Sequence, residues 1–205
     1  MPHGTSRIIQ SSKLKPEWRE VLLTAEYFKN KPVNLTDLSA FTNYFDPEGD
    51  INLIESTIIE FLDNEQFYYK DKKIEYWFQH QVTGQNLAPH CDYNHSVREA
   101  IGMDDGKWLH EADKTQVMSP VTIGCYLECN NLLGGELCIS EYDWFEHPTP
   151  TFIDPDDIVK HPYEMFVPEQ DDVIYFEGSK YFHWINDVKR GERKSMMINF
   201  WQKDL

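Results

Sequence analysis

The chain has 205 residues, 40% of them hydrophobic and 14% aromatic, which is enough for one globular domain with a sizeable core. Its formal net charge of −16 would repel a phosphate backbone, and this argues against nonspecific nucleic-acid binding. The N-terminus lacks the apolar run of an export signal, and no stretch is long enough to span a bilayer, so we expect a cytoplasmic protein without membrane contact.

Residues 1–72 are predicted to form a helical support region. Pro16 suits the first turn of a helix that ends near Lys29 and Lys31. Apolar residues recur there at helical spacing, namely Trp18, Val21, Leu22, Ala25 and Phe28. A second, short helix is predicted to carry Leu38, Phe41 and Phe45.

A third helix is predicted to begin at the N-cap residue Asp50, after the loop sequence DPEGD. Its apolar stripe consists of Ile51, Ile54, Ile58, Phe61 and Leu62. Apolar helix faces need a surface to cover, so these helices are predicted to pack on the outside of a β core.

Residues 73–205 change to short runs rich in β-branched and aromatic residues, which are separated by turn residues. The predicted strands lie in IEYWFQHQV, PHCDYN, VMSPVTIGCYLE, GGELCIS, DDVIYF, YFHWIN and KSMMINFW. This spacing is typical of a β-sandwich or barrel. Two longer segments, 95–114 and 141–169, interrupt the strands and are predicted to be substrate-facing loops or lids.

Two stretches suggest a metal site. His90 and Asp92 lie two residues apart, so in an extended strand they would share one face while Cys91 points the other way. His183 stands in an aromatic strand, where a buried imidazole needs a polar partner or a ligand role. Two histidines and one carboxylate form the ligand set that holds non-haem Fe(II) with three positions open. A lone HxD pair would usually be an ordinary surface pair.

Five other histidines lack this carboxylate context and are interpreted as solvated or structural, with His95 and His110 as candidates for substrate contact. They are His80, His95, His110, His147 and His161. The four cysteines are predicted to be reduced thiols because the chain has no export signal. They are Cys91, Cys125, Cys129 and Cys138.

The stretches HCD, VTIGCYL running into GGELCI, PEQDDVIYF and HWINDVKRGERKS together resemble the Fe(II)- and 2-oxoglutarate-dependent dioxygenases, and among them the prolyl 4-hydroxylase-like branch. They cover roughly the C-terminal two thirds of the chain in the order of that family. The resemblance implies a mainly β fold with flanking helices, a double-stranded β-helix or jelly-roll barrel. It implies His90, Asp92 and His183 as Fe(II) ligands, 2-oxoglutarate and O2 as cosubstrates, and ascorbate as a further candidate.

The resemblance also points to residues for 2-oxoglutarate. Arg193 follows His183 by ten residues, and its planar fork suits bidentate contact with a carboxylate; Arg190 is its competitor. Ser195 would share a strand face with Arg193. Tyr126 and Leu137 match pocket positions of this branch. Gly134 and Gly135 are interpreted as turn residues, not as a phosphate loop.

The predicted activity is hydroxylation of an unactivated C–H bond with release of succinate and CO2, without a catalytic side chain beyond the metal ligands. The substrate would be a prolyl or other peptidyl residue, or a small molecule, and the acidic charge would suit a basic peptide. Two alternatives remain. One is a noncatalytic metal- or ligand-binding module on the same barrel. The other is a zinc hydrolase, which would leave Arg193 without a purpose.

Overall fold

The computed structural model describes residues 7–10, 13–29, 42–92, 119–143 and 155–203. The helices are α1 (Pro16–Leu22), α2 (Glu26–Lys29), α3 (Leu53–Asn64) and α4 (Pro155–Ile158). The strands are β1 (Ile9–Gln10), β2 (Thr42–Phe45), β3 (Lys72–Val82), β4 (Leu87–His90), β5 (Thr122–Gly134), β6 (Leu137–Asp143), β7 (Tyr163–Phe166), β8 (Val173–Phe176), β9 (Tyr181–Ile185) and β10 (Val188–Gln202).

The strands form two antiparallel sheets. The large sheet has the order β1-β8-β5-β10-β3-β2, and the small sheet has the order β4-β9-β6-β7. Between the sheets, Tyr126 and Ile174 of the large sheet share a buried cluster with Leu137, Ile139 and Ile185 of the small sheet. This arrangement is that of a jelly roll, and the predicted double-stranded β-helix with flanking helices is confirmed.

Helices α1 and α3 cover the outer face of the large sheet. Side chains alternate along a strand, so every second residue of the central strands points toward the helices. These outward residues are apolar, and they form one buried cluster with the helices that contains Trp18, Leu22, Ile58, Phe61, Leu62, Ile74, Tyr76, Phe78, Ile123, Cys125, Leu127, Met196, Ile198 and Phe200. The alternate residues of the same strands face the small sheet.

Helix α3 begins later than predicted, because its N-cap is Asn52 and not Asp50. The Asn52 side chain accepts a hydrogen bond from the Glu55 N–H at 3.1 Å, and Glu55 accepts one from the Asn52 N–H at 2.8 Å. This reciprocal pair satisfies two backbone donors that a helix start otherwise leaves open. Ile51 therefore lies outside the helix and is 39% exposed.

The first predicted helix is interrupted. Backbone hydrogen bonds from Thr24 to Val21 and from Ala25 to Leu22 close tight turns, and the Thr24 hydroxyl also donates to the Val21 carbonyl at 2.6 Å. The chain therefore leaves α1 at Leu22 and forms the short helix α2 afterwards. Lys31 lies outside the described residues.

The second predicted helix is wrong where the structure describes it. Phe45 lies in β2, which pairs with β3 at the edge of the large sheet, and its ring meets that of Tyr76 edge-on at 5.9 Å. Sheet pairing therefore overrides the helical spacing of the apolar residues. Leu38 and Phe41 lie outside the described residues. The region before residue 72 thus contributes edge strands as well as helices.

The predicted loop 141–169 is not a single loop. It contains the end of β6, helix α4 and strand β7, which pairs with β6. The predicted loop 95–114 lies outside the described residues. All four cysteines are free thiols. Within the described ranges, no helix is both long and apolar enough to cross a membrane.

The packing of α3 gives a stability prediction. Phe61 is 1% exposed and meets Trp18 edge-on at 5.9 Å. Phe61→Ala should lower the free energy of unfolding by about 3–5 kcal/mol, because it leaves a cavity beneath the sheet. Urea denaturation followed by circular dichroism measures the effect. Leu53→Ala, at a position of the same helix that is 65% exposed, should change it by about 0.5 kcal/mol at most. Equal losses would contradict this packing.

Candidate metal centre

The three predicted ligands lie together at one end of the small sheet. Strands β4 and β9 pair with His90 directly opposite His183, and the two ring centroids are 4.3 Å apart. Asp92 follows β4, and one ligand atom from each of the three residues lies within 4.8 Å of the others. The group is large enough to hold one metal ion and small enough that all three residues could reach it.

Backbone carbonyls fix both imidazole rings. Nδ1 of His90 lies 2.8 Å from the Ala88 carbonyl oxygen, and Nδ1 of His183 lies 3.2 Å from that of Tyr181. A carbonyl oxygen only accepts, so each Nδ1 carries a hydrogen, and in the neutral ring Nε2 then has the lone pair. The Nε2 atoms lie 3.8 Å and 3.6 Å from Oδ1 of Asp92. Three potential ligand atoms therefore converge.

Hydrogen bonds position Asp92 beside the histidines, and not the strand alternation that was predicted. Strand β4 ends at His90, so alternation along an extended strand does not place Asp92. Its backbone N–H donates to the Gly178 carbonyl at 2.9 Å, and its Oδ2 accepts from the Thr122 hydroxyl at 2.9 Å. These two bonds tie Asp92 to the turn before β9 and to the large sheet. Cys91 is half-buried.

The protonation states suit metal binding. Burial and the neighbouring His183 lower the pKa of His90 to about 4, so its imidazole is neutral at neutral pH. Burial alone would raise the pKa of the Asp92 carboxyl, but His183, His90 and the Thr122 hydroxyl outweigh it and hold that pKa well below the usual range. A neutral imidazole and an ionised carboxylate are the forms that bind metal.

Gly178 makes the close approach to Asp92 possible. A Cβ at this position would come closer than van der Waals contact to the Thr122 hydroxyl and to Oδ2 of Asp92. The sequence marks Gly178 as a turn residue between two aromatic strands. Its contact with a residue far away along the chain is visible only in the fold, and the same holds for Thr122.

A buried cation lies on the inner face of the large sheet. Arg193 is 0% exposed and comes from β10. Its guanidinium donates to the Gly135 carbonyl at 2.8 Å and to the Gln79 amide oxygen at 3.3 Å, and it lies 5.2 Å from the Tyr126 ring centroid. Among the described residues its ionisable partners are Tyr126 and Cys129, and no carboxylate is one of them. Burial lowers the pKa of Arg193, because the charged form loses hydration.

Several buried polar atoms around Arg193 have no hydrogen-bond partner among the described residues. They are Oη of Tyr126, Oγ of Ser195, both amide atoms of Gln81 and Nε of Arg193. In the sheet, Arg193 is paired with Gln81, and Ser195 is paired with Tyr126. Buried polar groups without partners are costly, so this region fits a polar ligand that supplies acceptors. Gln79 and Gln81 were not predicted from the sequence.

Tyr126 and Leu137, the other predicted pocket residues with Ser195, are both buried between the sheets. Burial raises the pKa of Tyr126 to about 12, against the opposing charge of Arg193, so its hydroxyl keeps a proton to donate. Leu137 belongs to the buried cluster between the sheets. Arg190, the competitor of Arg193, is exposed. Gly134 and Gly135 have φ angles of 80° and 72° at the turn between β5 and β6, which glycine adopts without strain.

Two further histidines in the described ranges, His80 and His161, do not belong to this group. Nε2 of His80 is 2.8 Å from a Glu192 carboxylate oxygen, and His161 is exposed. His95, His110 and His147 lie outside the described residues.

No protein-family model and no curated protein sequence matches this chain. Among solved structures, a prolyl-4-hydroxylase from Pseudomonas putida is similar over 97% of this chain and 87% of its own, with 14% identity and a TM-score of 0.51. A viral collagen prolyl hydroxylase from Paramecium bursaria Chlorella virus-1, solved as a 2OG complex, is similar over 95% of each chain, with 17% identity and a TM-score of 0.51. At these identities the similarity shows a shared fold. The predicted resemblance to the prolyl 4-hydroxylase-like fold is confirmed at that level.

The contact at Gly178 can be tested directly. Gly178→Ala should weaken Fe(II) binding by about 10- to 100-fold, because the new methyl group displaces Asp92 and Thr122. Anaerobic Fe(II) titration measures the change. Gly49→Ala, whose new Cβ would meet only ordinary contacts, is the control and should bind as wild type does. Unchanged Fe(II) affinity in Gly178→Ala would show that Asp92 does not hold the metal in this position.

Proposed function

We propose that the protein is an Fe(II)- and 2-oxoglutarate-dependent oxygenase that hydroxylates an unactivated C–H bond. The observation that carries the proposal is the convergence of two imidazoles and one carboxylate in a jelly-roll barrel that also buries an arginine without a carboxylate partner among the described residues. The first group suits non-haem Fe(II) with three positions left open. The second suits the carboxylate of a cosubstrate.

His90, Asp92 and His183 would hold the metal. The backbone carbonyls of Ala88 and Tyr181 orient the two rings, and the Thr122 hydroxyl orients the carboxylate. Such outer contacts keep the ligands in place before the metal arrives. Among the described residues, no cysteine belongs to this group, which fits a metal that prefers nitrogen and oxygen ligands.

Arg193 would bind a carboxylate of 2-oxoglutarate. A carboxylate at its fork would neutralise a buried charge and supply the acceptors that the Ser195 and Tyr126 hydroxyls lack. Gln81, paired with Arg193 across the strands, offers a further donor. With Fe(II) and O2 bound as well, this set of groups supplies the oxidation, in which 2-oxoglutarate gives succinate and CO2 and the substrate gains a hydroxyl group.

The rest of the barrel would position the reactants and exclude water. Phe176 packs edge-on against the His183 ring at 5.0 Å. Leu137, Ile139 and Ile185 fill the space between the sheets on the same side. Apolar walls of this kind keep solvent from the reacting atoms, and no side-chain general base is required.

A peptide is the proposed substrate, with a prolyl residue as the first candidate. The two solved structures named above are prolyl hydroxylases by name, and the net charge of −16 favours a basic peptide. Succinate production should be measured with proline peptides that carry added Lys or Asp residues, and with proline and other small metabolites. If a small molecule stimulates succinate production and none of the peptides does, the proposed peptide substrate is refuted.

Metal content and turnover test the function as a whole. The protein purified without oxygen should bind one Fe(II) and, with 2-oxoglutarate and O2, form succinate. If the protein binds metal but forms no succinate with any of the tested substrates, the noncatalytic module is favoured. A preference for zinc together with hydrolysis of a substrate would favour the zinc enzyme.

The metal ligands give the first functional prediction. His183→Ala and Asp92→Ala should lose Fe(II) binding and all 2-oxoglutarate turnover, while circular dichroism shows the fold retained. Asp92→Glu should also be impaired, because the longer side chain moves the oxygen away from the shared position. His161→Ala, at an exposed position, is the matched control and should keep both properties. Wild-type turnover in His183→Ala would refute the ligand assignment.

The second functional prediction separates Arg193 from Arg190. Arg193→Ala should weaken 2-oxoglutarate binding by about 1.5–3 kcal/mol, with Fe(II) still bound, because a charge-assisted contact to a carboxylate is lost. Arg193→Lys should recover part of this, since lysine offers a point charge in place of a fork. Arg190→Ala, at an exposed position, should bind as wild type does. Anaerobic titration of the Fe(II) form measures all three, and loss in Arg190→Ala alone would reverse the assignment.

A further inference from the structure

Glu75 is a buried carboxyl group that the proposed chemistry does not use. It is 4% exposed and lies on the inner face of β3. It accepts hydrogen bonds from the Tyr44 hydroxyl at 2.6 Å and from the Trp201 indole N–H at 2.8 Å. No Lys or Arg of the described ranges is among the groups that act on this carboxyl. A buried carboxyl group without a cation needs another explanation.

Two side chains connect Glu75 to the metal-binding carboxylate. The Asn199 amide nitrogen lies 3.4 Å from Oε2 of Glu75, and the Asn199 amide oxygen lies 2.7 Å from the Thr122 hydroxyl. That hydroxyl lies 2.9 Å from Oδ2 of Asp92. Thr122 and Asn199 are each 1% exposed, so the chain of contacts runs through the interior.

The available hydrogen atoms cannot satisfy every contact along this series of side chains at once. The Thr122 hydroxyl has one hydrogen, but it faces two oxygens that only accept, on Asn199 and on Asp92. If the hydrogen goes to Asn199, Oδ2 of Asp92 loses this donor. A half-turn of the Asn199 amide resolves the conflict, because its nitrogen then donates to Thr122 and Thr122 donates to Asp92.

The half-turn places a requirement on Glu75. It brings the Asn199 amide oxygen toward Glu75, and two acceptors cannot bond unless one carries a hydrogen. With a proton on Glu75, donation runs from Glu75 through Asn199 and Thr122 to Asp92. Without that proton, donation runs the other way, and the Thr122 hydrogen is directed to Asn199. The direction of hydrogen-bond donation between Glu75 and Asp92 therefore depends on the proton of Glu75.

We propose that Glu75 is a positioning residue for the metal-binding carboxylate, and that its proton sets, through Asn199 and Thr122, whether Oδ2 of Asp92 receives a hydrogen bond. The inference rests on the proposed function, since it concerns the same metal site. A hydrogen bond to Oδ2 holds the carboxylate with Oδ1 toward the two Nε2 atoms. Its loss allows the carboxylate to rotate and weakens the ligand set.

The surroundings of Glu75 support a proton that comes and goes near neutral pH. Burial raises the pKa of Glu75 to about 7, the negative charge of Asp92 adds to this, and the donors Tyr44, Trp201 and Asn199 oppose it. On β2, burial and Glu75 together raise the pKa of Tyr44, so that group stays neutral. On the same side, Nζ of Lys73 lies 5.1 Å from the Tyr44 ring centroid.

The pH dependence of the unfolding free energy tests whether Glu75 titrates near neutral pH. The folded protein holds the Glu75 proton more tightly than an unfolded chain, so this group stabilises the fold most at low pH. The contribution should diminish as the pH rises from about 4.5 through about 7. Glu75→Gln, which cannot titrate, should lack this component when unfolding by urea is measured from pH 5 to 8.

Metal binding tests the positioning role. Co(II) alone is the probe, its affinity is read from visible absorption between pH 6 and 8, and ratios between variants cancel the titration of the histidines. In Glu75→Gln the amide oxygen must face the Trp201 N–H, so it accepts from Asn199 as the ionised carboxylate does. This variant should bind about tenfold more weakly than wild type at pH 6 and equally at pH 8, where wild type has lost its donor. Thr122→Val should bind about tenfold more weakly than wild type at pH 6 and equally at pH 8. Thr122→Ser should restore the wild-type profile.

Three results would overturn the inference. One is a Glu75→Gln to wild-type ratio that stays constant with pH. A second is a ratio that falls with pH, because loss of a negative charge near the metal would do this without any change in hydrogen bonding. The third is an effect of Glu75→Gln that persists in the Thr122→Val background. Glu192→Gln, which removes a carboxylate from β10 near His80, is the control and should leave the ratio at one.

The same titration distinguishes the two proposals. Wild-type protein that binds no Co(II) would refute the metal site and the proposed function with it. Wild-type protein that binds Co(II) and forms succinate, but shows a constant ratio, would refute only the role of Glu75.

Discussion

The alternation of side chains along the central strands of the large sheet is the constraint on which the rest of the structure depends. On β10, Met196 and Ile198 point outward under the helices, while Arg193, Ser195 and Asn199 point inward. A shift of one residue would exchange these faces and turn Arg193 away from the space between the sheets. The helices therefore do more than cover apolar surface. By fixing which face is outside, they keep the polar face between the sheets, where burial makes each of its contacts strong.

The candidate site draws on both sheets. The two histidines come from the small sheet, whereas Arg193 and the Thr122 hydroxyl come from the large one. The Thr122 hydroxyl of the large sheet lies 2.9 Å from Oδ2 of Asp92, which follows β4 of the small sheet. Burying so many polar atoms is unfavourable for the empty protein, and a bound metal and dicarboxylate would offset part of this penalty. Ligands that satisfy these atoms should for that reason also stabilise the fold.

Much of this arrangement could be predicted from the sequence, but only where a short-range pattern carries the information. Strand patterns located most of the barrel, and the order of the motifs singled out His90, Asp92, His183 and Arg193. The missed features depend on contacts between distant residues. The structure shows that Gly178 touches Asp92, that Phe45 extends a sheet, and that Glu75 joins a hydrogen-bond chain. The N-cap was missed by two residues, because DPEGD and Asn52 offer competing caps and the reciprocal bond with Glu55 decides between them.

The apolar layer between the sheets has one further consequence. Arg193 and the histidines stand on opposite sheets, so a cosubstrate that contacts both would have to bridge the gap that Leu137, Ile139 and Ile185 help to set. The thickness of this layer would then determine which chain length of keto acid can bind. Side chains that never touch a reacting atom would decide, by their volume alone, whether a four-, five- or six-carbon diacid fits. Selectivity of that kind would evolve through core packing instead of through polar recognition.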